Sequence, residues 1–167
     1  MTHNRKQKFV EIQRETLRDI AGGLKDEGTK PPIHVAWAVT SLVGDVVPDA
    51  LSGHRTDGDD GTTWNAFAWV GDRVVTVTAS AKVAGWGFDA PNGHTEPDSM
   101  TARARRVADI TGIDVTEARG AGWDSRDIHN WTVTWRLQFA DGDSFDLHHD
   151  SMYKSEGIVR MLLDKLM

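Results

Sequence analysis

Trp131-Thr132-Val133-Thr134-Trp135-Arg136-Leu137-Gln138-Phe139 is the stretch on which the fold turns. Its odd-numbered positions are bulky and apolar and its even-numbered ones are Thr, Arg and Gln. This is the alternation of a strand with one buried and one wet face, expected over residues 128–140. Asp141-Gly142 then turns the chain into residues 143–149, where Phe145 and Leu147 continue the buried face, so a hairpin is expected. A one-residue slip would expose both Trp rings and bury Arg136, which fixes the register. From residue 151 to the end, Ile158, Met161, Leu162 and Leu166 recur at helical spacing, with Asp150 or Ser151 as N-cap, and predict a closing helix.

Upstream, Phe9, Ile12, Thr16, Leu17, Ile20 and Leu24 recur at three- and four-residue steps among charged residues, which predicts an amphipathic helix within residues 1–28. Gly28, Pro31 and Pro32 end it. Residues 33–43 are β-branched and aromatic and apolar on both faces, and read as a strand, central in the sheet or covered by the first helix. Residues 44–61, with five Asp and scattered Gly and Pro, read as a long mobile loop. Residues 62–70 and 73–80 flank Gly71-Asp72 and read as a second hairpin. Residues 81–99 look irregular, 101–107 read equally as a strand or a helical turn, and 108–118 read as a strand with an irregularity at Gly112. The expected whole is one α+β domain spanning residues 1–167. Its core would be an antiparallel sheet or partly open barrel, bracketed by an N-terminal amphipathic helix and a closing C-terminal helix.

Composition narrows the function classes. At 167 residues the chain is long enough for one core, and 39% apolar with 26% charged residues and 7 Trp is the make-up of a folded protein. Cysteine is absent, so disulfides, thiolate nucleophiles and zinc-thiolate sites are excluded. The first residues lack the continuous apolar stretch of a signal peptide, and no apolar run reaches the roughly 20 residues of a membrane span, so a soluble cytoplasmic protein is expected. A net charge of -6 opposes general nucleic-acid binding, although Arg5, Lys6 and Lys8, and Arg103, Arg105 and Arg106, form small basic clusters.

From about Trp64 to Met167, the order of short antiparallel strands, the penultimate hairpin (Trp131 to Phe139, Asp141-Gly142, Phe145 to Leu147) and the closing helix resembles bacterial pleckstrin-homology-like domains. The resemblance implies a binding scaffold more than a catalyst. The N-terminal helix, the segment around Trp37 and the acidic stretch 44–61 depart from a minimal domain of that kind.

No nucleophile elbow and no glycine-rich phosphate loop is present. Asp146, His148 and Asp150 stand at alternate positions of one strand and share a face, so with help from another strand they form a candidate metal site; the plainer reading is a polar strand face with Asp150 capping the last helix. Trp86 and Phe88 in one glycine-rich loop and Trp123 in another are candidate ligand or partner anchors, or else they fold back to cap the sheet. The expected function is therefore a non-catalytic binding or protein-interaction module. It needs no cofactor, and it engages a protein partner or a second copy of itself, with the N-terminal helix as the possible homodimer contact. The alternative is a metal-dependent hydrolase built on Asp146, His148 and Asp150.

Overall fold

The computed structural model describes residues 14–120, 131–148 and 154–167. In chain order these form α1 (residues 14–23), α2 (Ile33–Val43), β1 (Ala50–Gly58), β2 (Gly61–Val70), β3 (Arg73–Ala81), β4 (Ser99–Arg106), a 3-10 turn (Val107–Asp109), β5 (Ile110–Gly120), β6 (Trp131–Phe139), β7 (Ser144–His148) and α3 (Lys154–Leu166). The strands make two antiparallel sheets, β1-β2-β3-β4 and β5-β6-β7, which do not close into a barrel. The α+β class, with a helix towards each end of the chain, is as the sequence implies.

Both expected hairpins are present. Val70 pairs with Arg73 across Gly71-Asp72, and Gln138 pairs with Ser144 beyond Asp141-Gly142. The irregularity at Gly112 is a register shift in β5 between Ile110 and Gly112. The ambiguous segment 101–107 is resolved as strand, because β3 offers it a full ladder from Arg73↔Arg106 to Ser80↔Ser99.

Two expectations are corrected. Residues 33–43 are α2, not a strand: the buried positions Val35, Ala36, Val39, Thr40 and Val43 follow helical steps, while Trp37 and Ser41 face outward. An apolar run without a polar face satisfies either period; the flanks permit a helix, and packing on β2 and β3 selects it. Pro32 is tolerated as N-cap because no helical N–H is needed there, and Gly44, at φ 77°, closes the last turn by donating its N–H to the Thr40 carbonyl. Residues 44–61 are not a long loop either. Their second half is β1, paired with β2 from Ala50↔Trp69 to Gly58↔Gly61, so that only residues 59–60 turn between the strands. Gly53, which looks like a loop residue, is required because the Leu24 backbone lies against it and leaves no room for a Cβ.

The central strands β2 and β3 are covered on both faces. Towards the helices, Trp64, Ala66, Ala68 and Val70 of β2 and Val75, Val77 and Ala79 of β3 pack against Ile20, Leu24, Val35, Val39 and Val43. On the other face Phe67, Trp69 and Val74 meet Leu137, Phe139, Phe145 and Leu147 of the second sheet, with Ile158, Val159 and Leu162 of α3 closing the end. The inward face of β6 deepens along the strand: Trp135 is half-buried and Leu137 and Phe139 are buried. In α3 the buried set is Ile158, Val159 and Leu162; Met161 and Leu166, expected to point inward, are exposed.

The sheets are also clasped at one corner. Arg105 of β4, with a side chain only 8% exposed, donates to Asp141 Oδ2 (2.9 Å) and Asp143 Oδ2 (2.5 Å) of the β6–β7 turn and lies over the Phe139 ring at 4.2 Å. The guanidinium hydrogen bond, helped by the Ser144 N–H, holds the Asp143 carboxyl below the usual carboxylate range. Replacing Arg105 with Met should lower the melting temperature by a few degrees. Arg105→Lys should recover less than half of that, because an ammonium reproduces neither the forked donation nor the stacking. A thermal melt unchanged by either substitution would show the clasp to be idle.

Candidate functional site, an apolar groove and a histidine pair

The chain entering β1 runs between α1 and α3 without filling the space, and the gap is a groove. Its central depression, about 430 Å³, is lined by Gly23 of α1, Pro48 to Leu51, and Gly157, Ile158 and Met161 of α3. A second depression of about 390 Å³ shares Asp49 and Met161 with it and continues to Trp69, Gly71, Asp164 and Lys165. A third, of about 240 Å³, shares Pro48 and Leu51 and continues along Val46, Val47, Asp45 and the Thr16, Asp19 and Ile20 side of α1. The surface is continuous and apolar along its floor. Val46 is 53% exposed, Val47 86% and Met161 42%, unusual for side chains that lose roughly 1.5 to 3 kcal/mol when left in water.

The backbone of the groove is firmly held. The Asp49 N–H donates to the Trp69 carbonyl (2.7 Å), and the Asp49 carboxylate accepts the Gly71 N–H (2.6 Å). The Trp69 indole N–H donates to the Gly71 carbonyl (2.6 Å). Glycine supplies the depth: a methyl at Gly23 would run into the Leu51 side chain, whereas a Cβ at Gly157 would meet nothing, so its absence leaves open space above α3.

A polar junction joins the turn after α1 to β1 and β7. Asp26, 6% exposed, sits in the tight turn after α1, where Asp26 and Thr29 exchange backbone hydrogen bonds. Its carboxylate accepts the Arg55 N–H (2.7 Å) and faces His54 Nδ1 at 3.3 Å. The His54 ring, on β1, stacks on the His148 ring of β7 with centroids 3.9 Å apart and planes at 26°. His148 Nδ1 lies 3.1 Å from Thr134 Oγ1, which is buried. Burial acts to raise the Asp26 carboxyl, but the His54 and Arg55 hydrogen bonds and the positive charge of both residues outweigh it, and the net shift is downward. Burial, and then the neighbouring His54 charge, push the His148 imidazole below its ordinary value; Asp146, Glu117 and Asp26 only partly offset them.

The residues singled out in the sequence fall elsewhere. Trp86 is fully buried in the helix-side core: its carbonyl accepts the Trp64 indole N–H (2.6 Å), its N–H donates to Thr62 Oγ1 (3.2 Å), and its ring lies 6.3 Å from that of His34. It caps the sheet and presents no face to a partner, so the exposed-anchor reading is corrected there. Phe88 is half-buried beneath Lys30, whose Nζ is 5.7 Å from the ring centre. Trp123 lies outside the described residues. Asp146 is engaged across the ladder by Arg136, Nε to Oδ1 at 2.8 Å and Nη2 to Oδ2 at 2.9 Å, and this bidentate bond draws its carboxyl downward. It does not converge with His148, and Asp150 lies outside the described residues. Among the described residues no group of three His, Asp or Glu side chains is placed to hold a metal ion. The apolar stripe of α1, expected to offer a homodimer contact, is buried over its described length at Leu17, Ile20, Ala21 and Leu24. Among the described residues no helix is long and apolar enough to cross a membrane.

The groove and the His54 partner of His148 were not anticipated. Val46-Val47-Pro48 between Asp45 and Asp49 is a visible signal, but within residues 44–61 it reads as part of a loop. The Asp26, His54 and His148 junction joins residues far apart in sequence, and no spacing rule reaches that far. Comparison of the chain with protein-family models, with curated proteins and with solved structures gives no significant match.

The junction makes stability depend on pH in a defined direction. An unfolded imidazole titrates near its ordinary value of about 6.5, above that of folded His148. Between the two values the unfolded chain binds more protons, so stability falls as pH drops through that window. Asp26 acts in the same direction at lower pH, because its depressed carboxyl stabilises the fold only while ionised. The urea midpoint should therefore be lower at about pH 5.5 than at about pH 7.5, and His148→Gln should narrow the difference. An equal difference in the variant would remove His148 as its source.

Proposed function

We propose that this chain is a non-catalytic protein-interaction module that docks an apolar segment of a partner in the groove between α1 and α3. The observation that carries the reading is the continuity of the depressions around Pro48, Leu51 and Met161, with Val46, Val47 and Met161 held exposed on a hydrogen-bonded scaffold. Apolar side chains grouped around a concave surface mark interaction sites, whereas singly scattered ones do not. The pleckstrin-homology-like resemblance points the same way, towards a scaffold that presents a binding surface, and is favoured by the order of strands, penultimate hairpin and closing helix. The hydrolase alternative loses support from Asp146, whose carboxylate is already engaged by Arg136.

Selection of a random peptide library on the immobilised full-length chain should enrich sequences that compete with one another for a single site. Met161→Glu should weaken them at least about tenfold while leaving the melting temperature within a few degrees, because the side chain is largely at the surface. An absence of enriched peptides, or binders indifferent to Met161→Glu, would remove the groove as the site. Gly157→Ala should do the reverse of an ordinary core mutation. It should raise stability by up to about 1 kcal/mol through helix propensity, since the added methyl meets nothing, yet reduce peptide binding by filling the groove. Equal binding with raised stability would place the contact elsewhere.

A further inference from the structure

We infer that the occupant of the groove is an amphipathic helix of another protein, carrying Lys or Arg on both sides of its apolar stripe; this rests on the interaction reading above. The first ground is charge. Asp19 and Asp45 stand at one end of the groove and Asp164 at the other, and none of the three is paired with a described residue, while Lys165 is the one cation among the described lining residues. Asp57 and Asp109, by contrast, are matched by Arg55 and Arg106; what marks this one apolar surface is the number of carboxylates around it against a single lysine among the described lining residues. An apolar middle between unpaired carboxylates at both ends selects an occupant with the complementary layout and disfavours one with acidic flanks. The net charge of -6 steers the same partner from a distance and works against a second copy of this chain.

The second ground is shape. The central part of the groove is walled by both α1 and α3; Gly157 of α3 leaves open space there, while the space at Gly23 of α1 is taken by the Leu51 side chain. A third helix can lie between two helices at ordinary interaxial distance, and closer where a wall lacks a side chain, reading the floor through residues at i, i+3 or i+4, and i+7. An extended segment would instead add to the outer edge of β1, where the Arg55 N–H is already committed to Asp26.

The test uses three synthetic peptides of about 18 residues with one leucine stripe: flanked by Lys, flanked by Glu, and Lys-flanked with a central Pro that breaks the helix. Binding to the full-length chain is read by fluorescence anisotropy at low and physiological salt, with light scattering of the chain alone. The inference predicts that the Lys peptide binds at least about tenfold more tightly than the Glu peptide, that salt and the Asp19→Asn/Asp164→Asn pair shrink this preference, and that the Pro peptide loses binding. Equal binding of Lys and Glu peptides overturns the basic partner while the groove reading survives. Undiminished binding of the Pro peptide overturns the helix. Self-association of the chain abolished by Met161→Glu, with no peptide bound, overturns the separate partner in favour of a second copy. Failure of all peptides, including library-selected ones, overturns both readings together.

Discussion

Phe67 and its two small neighbours carry the constraint from which the architecture follows. In β2 the alternation of a pleated strand sends Ala66 and Ala68 towards the helices and Phe67 towards the second sheet, so at the middle of this strand the two cores differ in the size of side chain they accept. Phe67 is fully buried and its ring lies 6.1 Å from that of Phe145. A slip of one residue would put a ring where α1 and α2 lie close to the sheet and leave methyl groups between the sheets, a cavity on one side and an overlap on the other. Register in this central strand therefore sets the spacing of both layers.

The groove follows from that spacing. β1 lies against β2 with Gly53 beneath the Leu24 backbone, which brings the end of α1 down onto the sheet edge. Ile158, Val159 and Leu162 anchor α3 in the core between the sheets on the other side. The two helices are thus positioned by different cores, and the segment 44–49 passes between them with its valines outward. The stacked histidines join β1 to β7, His54 on the one and His148 on the other, with Asp26 reaching in from the turn after α1. The exposed apolar surface is held by the hydrogen bonds of Asp49 with Trp69 and Gly71, which need no partner.

How far the fold could be read in advance depended on whether a segment's pattern was local. Residues 131–139 and 144–148 alternate strictly around a turn sequence, and their hairpin is visible in the letters because period, turn and register all lie within one short segment. Residues 33–43 had no polar face, so neither period was excluded, and only the contact with β2 and β3 selects a helix. β1 was hidden for a different reason: Ser52-Gly53-His54 and the aspartates around it have little strand propensity, and their pairing comes from β2 across the 59–60 turn. Among the candidate site residues, Trp86 illustrates the same limit. A tryptophan between two glycines is equally suited to an exposed loop tip or to a plug, and the decision lies with Thr62 and Trp64, more than twenty residues away in sequence.

The residues alone determined the class of structure, the two hairpins, the helix towards each end and the lack of any thiol chemistry, because these depend on interactions between near neighbours or on composition. Tertiary packing decided the identity of α2, the existence of β1, the burial of Trp86, the meeting of His54 with His148 and the groove itself. Each of those is a relation between segments distant in the chain, created when apolar faces find one another, and a surface left open by three elements is written in none of them separately.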